Sequence, residues 1–233
     1  MAFARAQYRE EFMSQVIEFC RLRCPECYTT FPAEILRSTG SKGVLESDLC
    51  YRAGNIFPYP FFVVVCPGCR FTAYHETFEF LRAFPHYSEY HPLKRALGTF
   101  LREQRRLYPG SEKYRLAVLS AQKKGASALA VAYLHLRGAW CAREEKNQEA
   151  ERFHQKEARR HFRAALPELE GTEAAVVNYL VGELSRRLGE FDQALVAFAA
   201  VDAETLPEWL RAGFRLVQER AAVKDGTPQV IRR

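Results

Sequence analysis

The chain has 233 residues, 48% hydrophobic and 27% charged, and its 34 basic and 28 acidic side chains give a formal net charge of +6. Nearly half apolar is ample for a packed core and excludes wholesale disorder. The longest apolar run, Ala194–Val201, falls far short of the ~20 residues a membrane span needs.

The positive charge is localised. Residues 93–125 hold nine basic and two acidic side chains, a net of +7, whereas residues 1–92 net −1, 126–170 net +1 and 171–233 net −1. The first residues, MAFARAQYREEF, lack the apolar core of a signal peptide. Seven cysteines, an odd number, do not read as a secreted disulfide framework. The expectation is a reducing, cytoplasmic location with no membrane contact.

Val16–Arg23 reads as a strand that runs into Cys24-Pro25-Glu26-Cys27, and Phe61–Val65 as a β-branched and aromatic strand that runs into Cys66-Pro67-Gly68-Cys69. A CxxC turn puts two thiolates on one side of a tight loop, and a second turn completes a tetrahedron at Zn–S distances of about 2.3 Å. Cys24, Cys27, Cys66 and Cys69 are therefore the predicted ligands of a structural Zn²⁺. The four-thiolate shell is closed, which argues against hydrolytic chemistry. A rubredoxin-type iron centre uses similar turns and would make the protein an electron carrier. A dithiol redox pair would need a CxxC opening a helix in a βαβ unit, and neither does. Unmetallated thiols are the plain alternative.

The interval 28–65 is long for a ribbon and must carry structure of its own. Turn chemistry is visible in Ser38-Thr39-Gly40-Ser41-Lys42-Gly43 and Asn55-Ile56-Phe57-Pro58-Tyr59-Pro60. Cys50 within it is a candidate substitute ligand, while Cys20 and Cys141 read as small core hydrophobes. His75, His86 and His91 follow the second turn, but His86 and His91 are five apart rather than i,i+4. No Ser/His/Asp order, phosphate loop or carboxylate pair stands out, so no enzymatic activity is expected.

Leu93–Leu107 reads as an amphipathic helix. Ala96, Leu97, Phe100, Leu101 and Leu107 share an arc of roughly 140°, and Lys94, Arg95, Arg102, Arg105 and Arg106 the complementary one. These five cations are candidate anion-binding residues, for nucleic-acid phosphates above all. A solvated face is the plain reading, and no aromatic stacking platform accompanies them. Lys113, Arg115, Lys123 and Lys124 extend the basic character.

Beyond residue 125 the pattern is helical. Asn178–Phe198 looks like a tetratricopeptide repeat, with Gly182 allowing close helix approach, Gly189 capping the first helix, and Ala194 and Phe198 packing from the second. Ala158, Phe162 and Ala165 match Ala194, Phe198 and Val201 in an upstream copy, with Gly138 matching Gly182. Gly138 to Ala158 spans 20 residues against 12 for Gly182 to Ala194. One extra turn on each helix, with a charged protruding tip near 144–151, is expected to absorb the excess. Leu206, Trp209, Leu210, Phe214 and Val217 give a closing helix. The functional reading is a concave surface that holds a protein or peptide partner through Tyr179, Glu183, Arg186 and Arg187, with His135 and Arg143 in the other copy. The alternative is a bundle whose own elements fill the groove.

The expected fold class is α+β. A small β-rich zinc ribbon with a long insert occupies residues 1–92, and an all-α tetratricopeptide-like helical domain, opening with the basic linker region 93–125, occupies 93–233.

Several motifs together resemble a bacterial family known only as a domain of unknown function. They are Cys24-Pro25-x-Cys27, Ser47-Asp48, Val63-x-Val65-Cys66-Pro67-x-Cys69-x-Phe71-x-Ala73, Lys113–Ala117, Ala132–Trp140 and Tyr179–Gly189. The resemblance spans roughly Leu22 to Ala222 and implies a four-cysteine ribbon followed by tetratricopeptide-like helices, with no activity attached. Members of that family usually carry Gly directly after the second Cys of each pair. Tyr28 and Arg70 stand there in this chain, where a non-glycine residue suits the turn less well.

Overall fold

The computed structural model describes residues 16–38, 43–53, 56–84 and 92–232; His86, His91, Asn55, residues 39–42 of the first turn segment and the N-terminal twelve residues lie outside this set, as do the side chains of 92–94.

Strands β1 (Val16–Arg23) and β2 (Thr30–Ser38) form an antiparallel hairpin, and β7 (Glu79–Ala83) pairs with the other side of β1, giving the order β2-β1-β7. Burial along β2 alternates around Phe31, Ala33 and Ile35, the period of two that puts one face on a core. A second hairpin pairs β5 (Val63–Val65) with β6 (Thr72–Tyr74). The predicted strand 61–65 begins later than expected because Pro58 and Pro60 hold Tyr59–Phe61 in a turn of 3₁₀ helix. Cys20, Leu22, Phe31, Ile35, Val64, Phe71 and Phe78 pack between the two hairpins. Phe31 meets Phe78 edge to face at 5.9 Å.

Beyond β2, most of the insert does not belong to that core. Its strands β3 (Gly43–Glu46) and β4 (Tyr51–Ala53) form a sheet with β8 (Val230–Arg232), in the order β4-β3-β8. Cys50, Tyr59 and Val63 pack instead in the helical core. Tyr59 lies 4.6 Å from Trp140 between ring centroids, and Tyr114 donates its hydroxyl to the Tyr59 carbonyl. Two cores thus divide the described chain: the ribbon, and a helical body that has absorbed much of the insert.

Helix α1 (Pro92–Leu107) packs on β2 of the ribbon, and the helical body contains α2 (Gly110–Lys123), α3 (Ala128–Glu144), α4 (Gln148–Ala165), α5 (Gly171–Arg187), α6 (Phe191–Ala199) and α7 (Glu208–Ala222). Ser127 and Asn147 cap α3 and α4 by accepting hydrogen bonds from the Ala130 and Ala150 backbone N–H groups. Gly189 ends α5 at φ +82°, in the left-handed cap conformation glycine favours. Lys146 takes the same conformation, φ 57°, between α3 and α4.

The close approach predicted at Gly182 is present: a Cβ there would lie 2.4 Å from the Phe198 ring, and one on Gly138 would lie 2.6 Å from His154. The predicted extra turns and protruding tip are not. Helices α3 and α5 are both 17 residues long and each hairpin turns in three residues. The second helices differ, with 18 residues in α4 against nine in α6. Gly138 faces His154 rather than Phe162, 16 residues on, as Phe198 is from Gly182. Matching on Ala158 and Phe162 therefore places the equivalence too far along α4. Among the described residues no helix is long and apolar enough to cross a membrane.

Candidate metal centre

Each cysteine pair sits at the tip of a hairpin, and the two tips are built alike. Arg23 pairs with Thr30 below the first and Val65 with Thr72 below the second. In each, the backbone N–H of the first cysteine donates to the residue five on, Thr29 or Phe71, and its carbonyl accepts from the residue four on, Tyr28 or Arg70. Tyr28 at φ 59° and Arg70 at φ 61° are both left-handed. This is the backbone that glycine suits, and both side chains adopt it.

The tips meet. Cys24 Sγ lies 3.7 Å from Cys69 Sγ and Cys27 Sγ 3.5 Å from Cys66 Sγ, and all four sulfurs cluster within 4.8 Å. A tetrahedron with metal–sulfur bonds of about 2.3 Å has edges of about 3.8 Å, so the donor set fits one tetrahedral ion. Cys24 and Cys66 are buried while Cys27 and Cys69 reach the surface. The Thr29 hydroxyl, 3.2 Å from Cys27 Sγ, and the Thr29 backbone N–H bring that thiol down to about 6. Burial pushes Cys66 up to about 12 and also raises Cys69. A metal cation supplies the positive charge that favours thiolates at such positions.

The remaining cysteines stand apart. Cys50, a candidate substitute ligand, is buried in the helical core with Cys141, and Cys20 in the ribbon core. Burial raises the pKa of all three, that of Cys20 to about 12.

The residues predicted to line a partner groove converge on the insert instead. Tyr179, Glu183 and Arg186 are fully buried, and His135 is nearly so. The Tyr179 hydroxyl donates to the Ser47 carbonyl, and the Ser47 hydroxyl donates to Glu183 Oε1 at 2.6 Å. Arg186 grips both Glu183 oxygens, at 2.7 and 2.8 Å, and donates to the Asp225 and Thr227 carbonyls of the C-terminal segment. The Ser47 backbone N–H donates to the Gln229 carbonyl and the Gln229 backbone N–H to the Ser47 hydroxyl, which joins the two incoming segments. Arg143 pairs with Asp48 and Glu46, each at 2.6 Å, and Arg187 with Glu151 at 2.9 Å. Burial works against ionised Asp48, but Arg143 and Arg187 outweigh it and hold the carboxyl below its ordinary range. Tyr179, Glu183, Arg186, Arg187 and Arg143 are thus turned onto the chain's own Ser47-Asp48 turn and C-terminal segment, which occupy the groove, while His135 packs against His154.

The profile of a family described as an uncharacterized protein conserved in bacteria (DUF2225) matches residues 20–206. The chain belongs to that family. The match takes in both cysteine tips, the Ser47-Asp48 turn and, of the described α-helices, all but α7. No curated protein and no solved structure matches the chain.

In this family member the basic segment is partly spent on the acidic ribbon. Arg105 makes a two-pronged ion pair with Glu34 on β2, and Lys124 pairs with Glu26 between Cys24 and Cys27. Lys113 donates to the Pro60 carbonyl, and Arg115 pairs with Glu112 on its own helix. Of the predicted anion-binding residues, Arg95, Arg102 and Arg106 stay exposed, Arg105 is paired, and the Lys94 side chain lies outside the described set.

A cluster absent from the sequence-based expectations joins His135 of α3 to Glu157 and His161 of α4. Its legible signal is the i,i+4 spacing of Glu157 and His161, which puts both on one helix face.

Proposed function

We propose that the protein is a non-catalytic scaffold of a reducing, cytoplasmic compartment, in which the four cysteines hold a structural Zn²⁺ and the tetratricopeptide-like helices present a protein partner with their outer face. The observation that carries this reading is the four-thiolate donor set. Four sulfurs complete a tetrahedral shell and leave no coordination position for water or substrate. Seven free thiols suit a reducing environment. Because the inner groove is filled, the partner surface has to lie outside it. Leu195 and Val196 on α6 and Trp209 on α7 are exposed apolar side chains there, of the type that anchors interfaces. Affinity capture with the full chain, with and without nuclease, tests this. A partner retained after nuclease and lost on Leu195→Glu/Val196→Glu supports the scaffold; a catch unaffected by the substitutions removes this surface.

A second reading, nucleic-acid association through α1, rests on the exposure of Arg95, Arg102 and Arg106 without an ion-pair partner among the described residues. It predicts a steep dependence of log K on log[salt]. Changing Arg102 and Arg106 to Gln should reduce that slope by about 2, and an unchanged slope excludes α1.

A further inference from the structure

We propose that His135, Glu157 and His161 form a second metal site, separate from the cysteines, that takes a divalent transition-metal ion such as Zn²⁺, Ni²⁺ or Co²⁺. The three side chains bring one donor atom each to within 4.8 Å of one another. Two imidazoles and a carboxylate are a nitrogen–oxygen set suited to these ions rather than to Mg²⁺ or Ca²⁺, which prefer oxygen alone.

The surroundings favour ligation. His135 is buried, and its Nδ1 lies 3.0 Å from His154 Nδ1. One of the two nitrogens carries the proton shared between them. When it is His135 that donates, its Nε2 lone pair is left for a metal, the arrangement in which a second imidazole orients a metal-bound histidine. His154 is buried as well, which holds this imidazole pair in place behind the cluster. Glu157 and His161 are only partly buried. Bonds of about 2.1 Å require donor separations near 3.4 Å; the His135 and His161 rings stack at 13° with centroids 5.8 Å apart, so the partly buried His161 ring has to turn for both lone pairs to reach one ion. Beside the cluster, a groove of about 470 Å³ between the starts of α2 and α4 is walled in part by Phe153 and His154.

One competitor is present. Arg160 donates to Glu157 Oε2 at 2.6 Å and lies 2.9 Å from His161 Nε2. The arginine is mostly exposed, so an arriving cation displaces a weakly held guanidinium. Removing it should strengthen metal binding, a response that a purely structural cluster would not give.

The test is calorimetric titration of the full chain, purified with its tightly held metal, using Ni²⁺ and Zn²⁺ and with Mg²⁺ as control. One further equivalent of transition metal and no Mg²⁺ uptake is expected. That equivalent should be lost in both His161→Ala and Glu157→Gln and bound about fivefold more tightly in Arg160→Gln. Co²⁺ in the site should give ligand-field bands without thiolate charge transfer, which separates it from the cysteine centre whatever metal that centre holds. The proposal is overturned if no second equivalent is taken up, or if the uptake survives both substitutions.

Discussion

Arg143 and Asp48, 95 residues apart in sequence, meet at 2.6 Å with side chains 12% and 1% exposed. The pair joins the α3–α4 hairpin to the insert between the cysteine tips, and Arg187 stands 3.7 Å from the same carboxylate. Removing one member of a buried pair leaves the other charged and unsolvated. Asp48→Ala should therefore destabilise the fold by about 3–5 kcal/mol, measured by chemical denaturation. A loss below about 1 kcal/mol, the worth of a surface pair, would contradict the burial.

The pH dependence of this pair has a definite sign. Asp48 is held below its ordinary value of 3.8, so its contribution is fully present above pH 3.8 and is lost as pH falls through the lower folded value. Burial moves Glu183 the other way, above 4.5. Its contribution is present below that value and is lost as pH rises through the folded value. The difference between wild type and Asp48→Asn isolates the first effect. It should be constant near neutrality and shrink below about pH 3.8, a trend that acid titration of both proteins checks.

Gly182 admits the Phe198 ring where a Cβ would stand 2.4 Å away. Phe198 is fully buried and has little room to move. Gly182→Ala should cost about 1–3 kcal/mol through overpacking, and adding Phe198→Leu should restore part of the loss. Thermal melts of the single and double variants measure the coupling; strict additivity would rule out this contact as the cause.

Tyr28 and Arg70 hold left-handed backbone at the two cysteine tips. Glycine at either position relieves that strain at the expense of a freer unfolded chain. Tyr28→Gly and Arg70→Gly should each stabilise the ribbon by about 0.5–1 kcal/mol, read as slower metal loss to a chelator. Faster loss would mean that the side chains do more at these tips than tolerate the turn.

What could be read from the sequence was local. The CxxC spacing, the strand Val16–Arg23, the helix ending at Leu107 and the close helix approach at Gly182 each depend on residues close in sequence or on one helical hairpin, and each is present. The filling of the groove was not readable. Tyr179, Glu183, Arg186 and Arg187 lie at helical spacing that suits a concave binding face, and periodicity cannot tell whether a foreign peptide or a distant segment of the same chain covers it. Ser47-Asp48 carries no signal of its destination, 132 residues away against Tyr179. The +7 segment misleads in the same way, since part of its charge meets Glu26 and Glu34 of the ribbon. His135 reaches Glu157 and His161 only through the register of two packed helices, which the match on Ala158 and Phe162 places too far along.

Metal analysis of wild type beside Cys24→Ser/Cys66→Ser tests the central claim most directly. The expected result is one tightly held, colourless Zn²⁺ per wild-type chain that survives dialysis. The variant should lose it together with ribbon stability on the order of 10 kcal/mol, while the separate helical core keeps its far-ultraviolet signal. A coloured iron centre, or a variant that retains both its metal and its melting temperature, would contradict a structural zinc site.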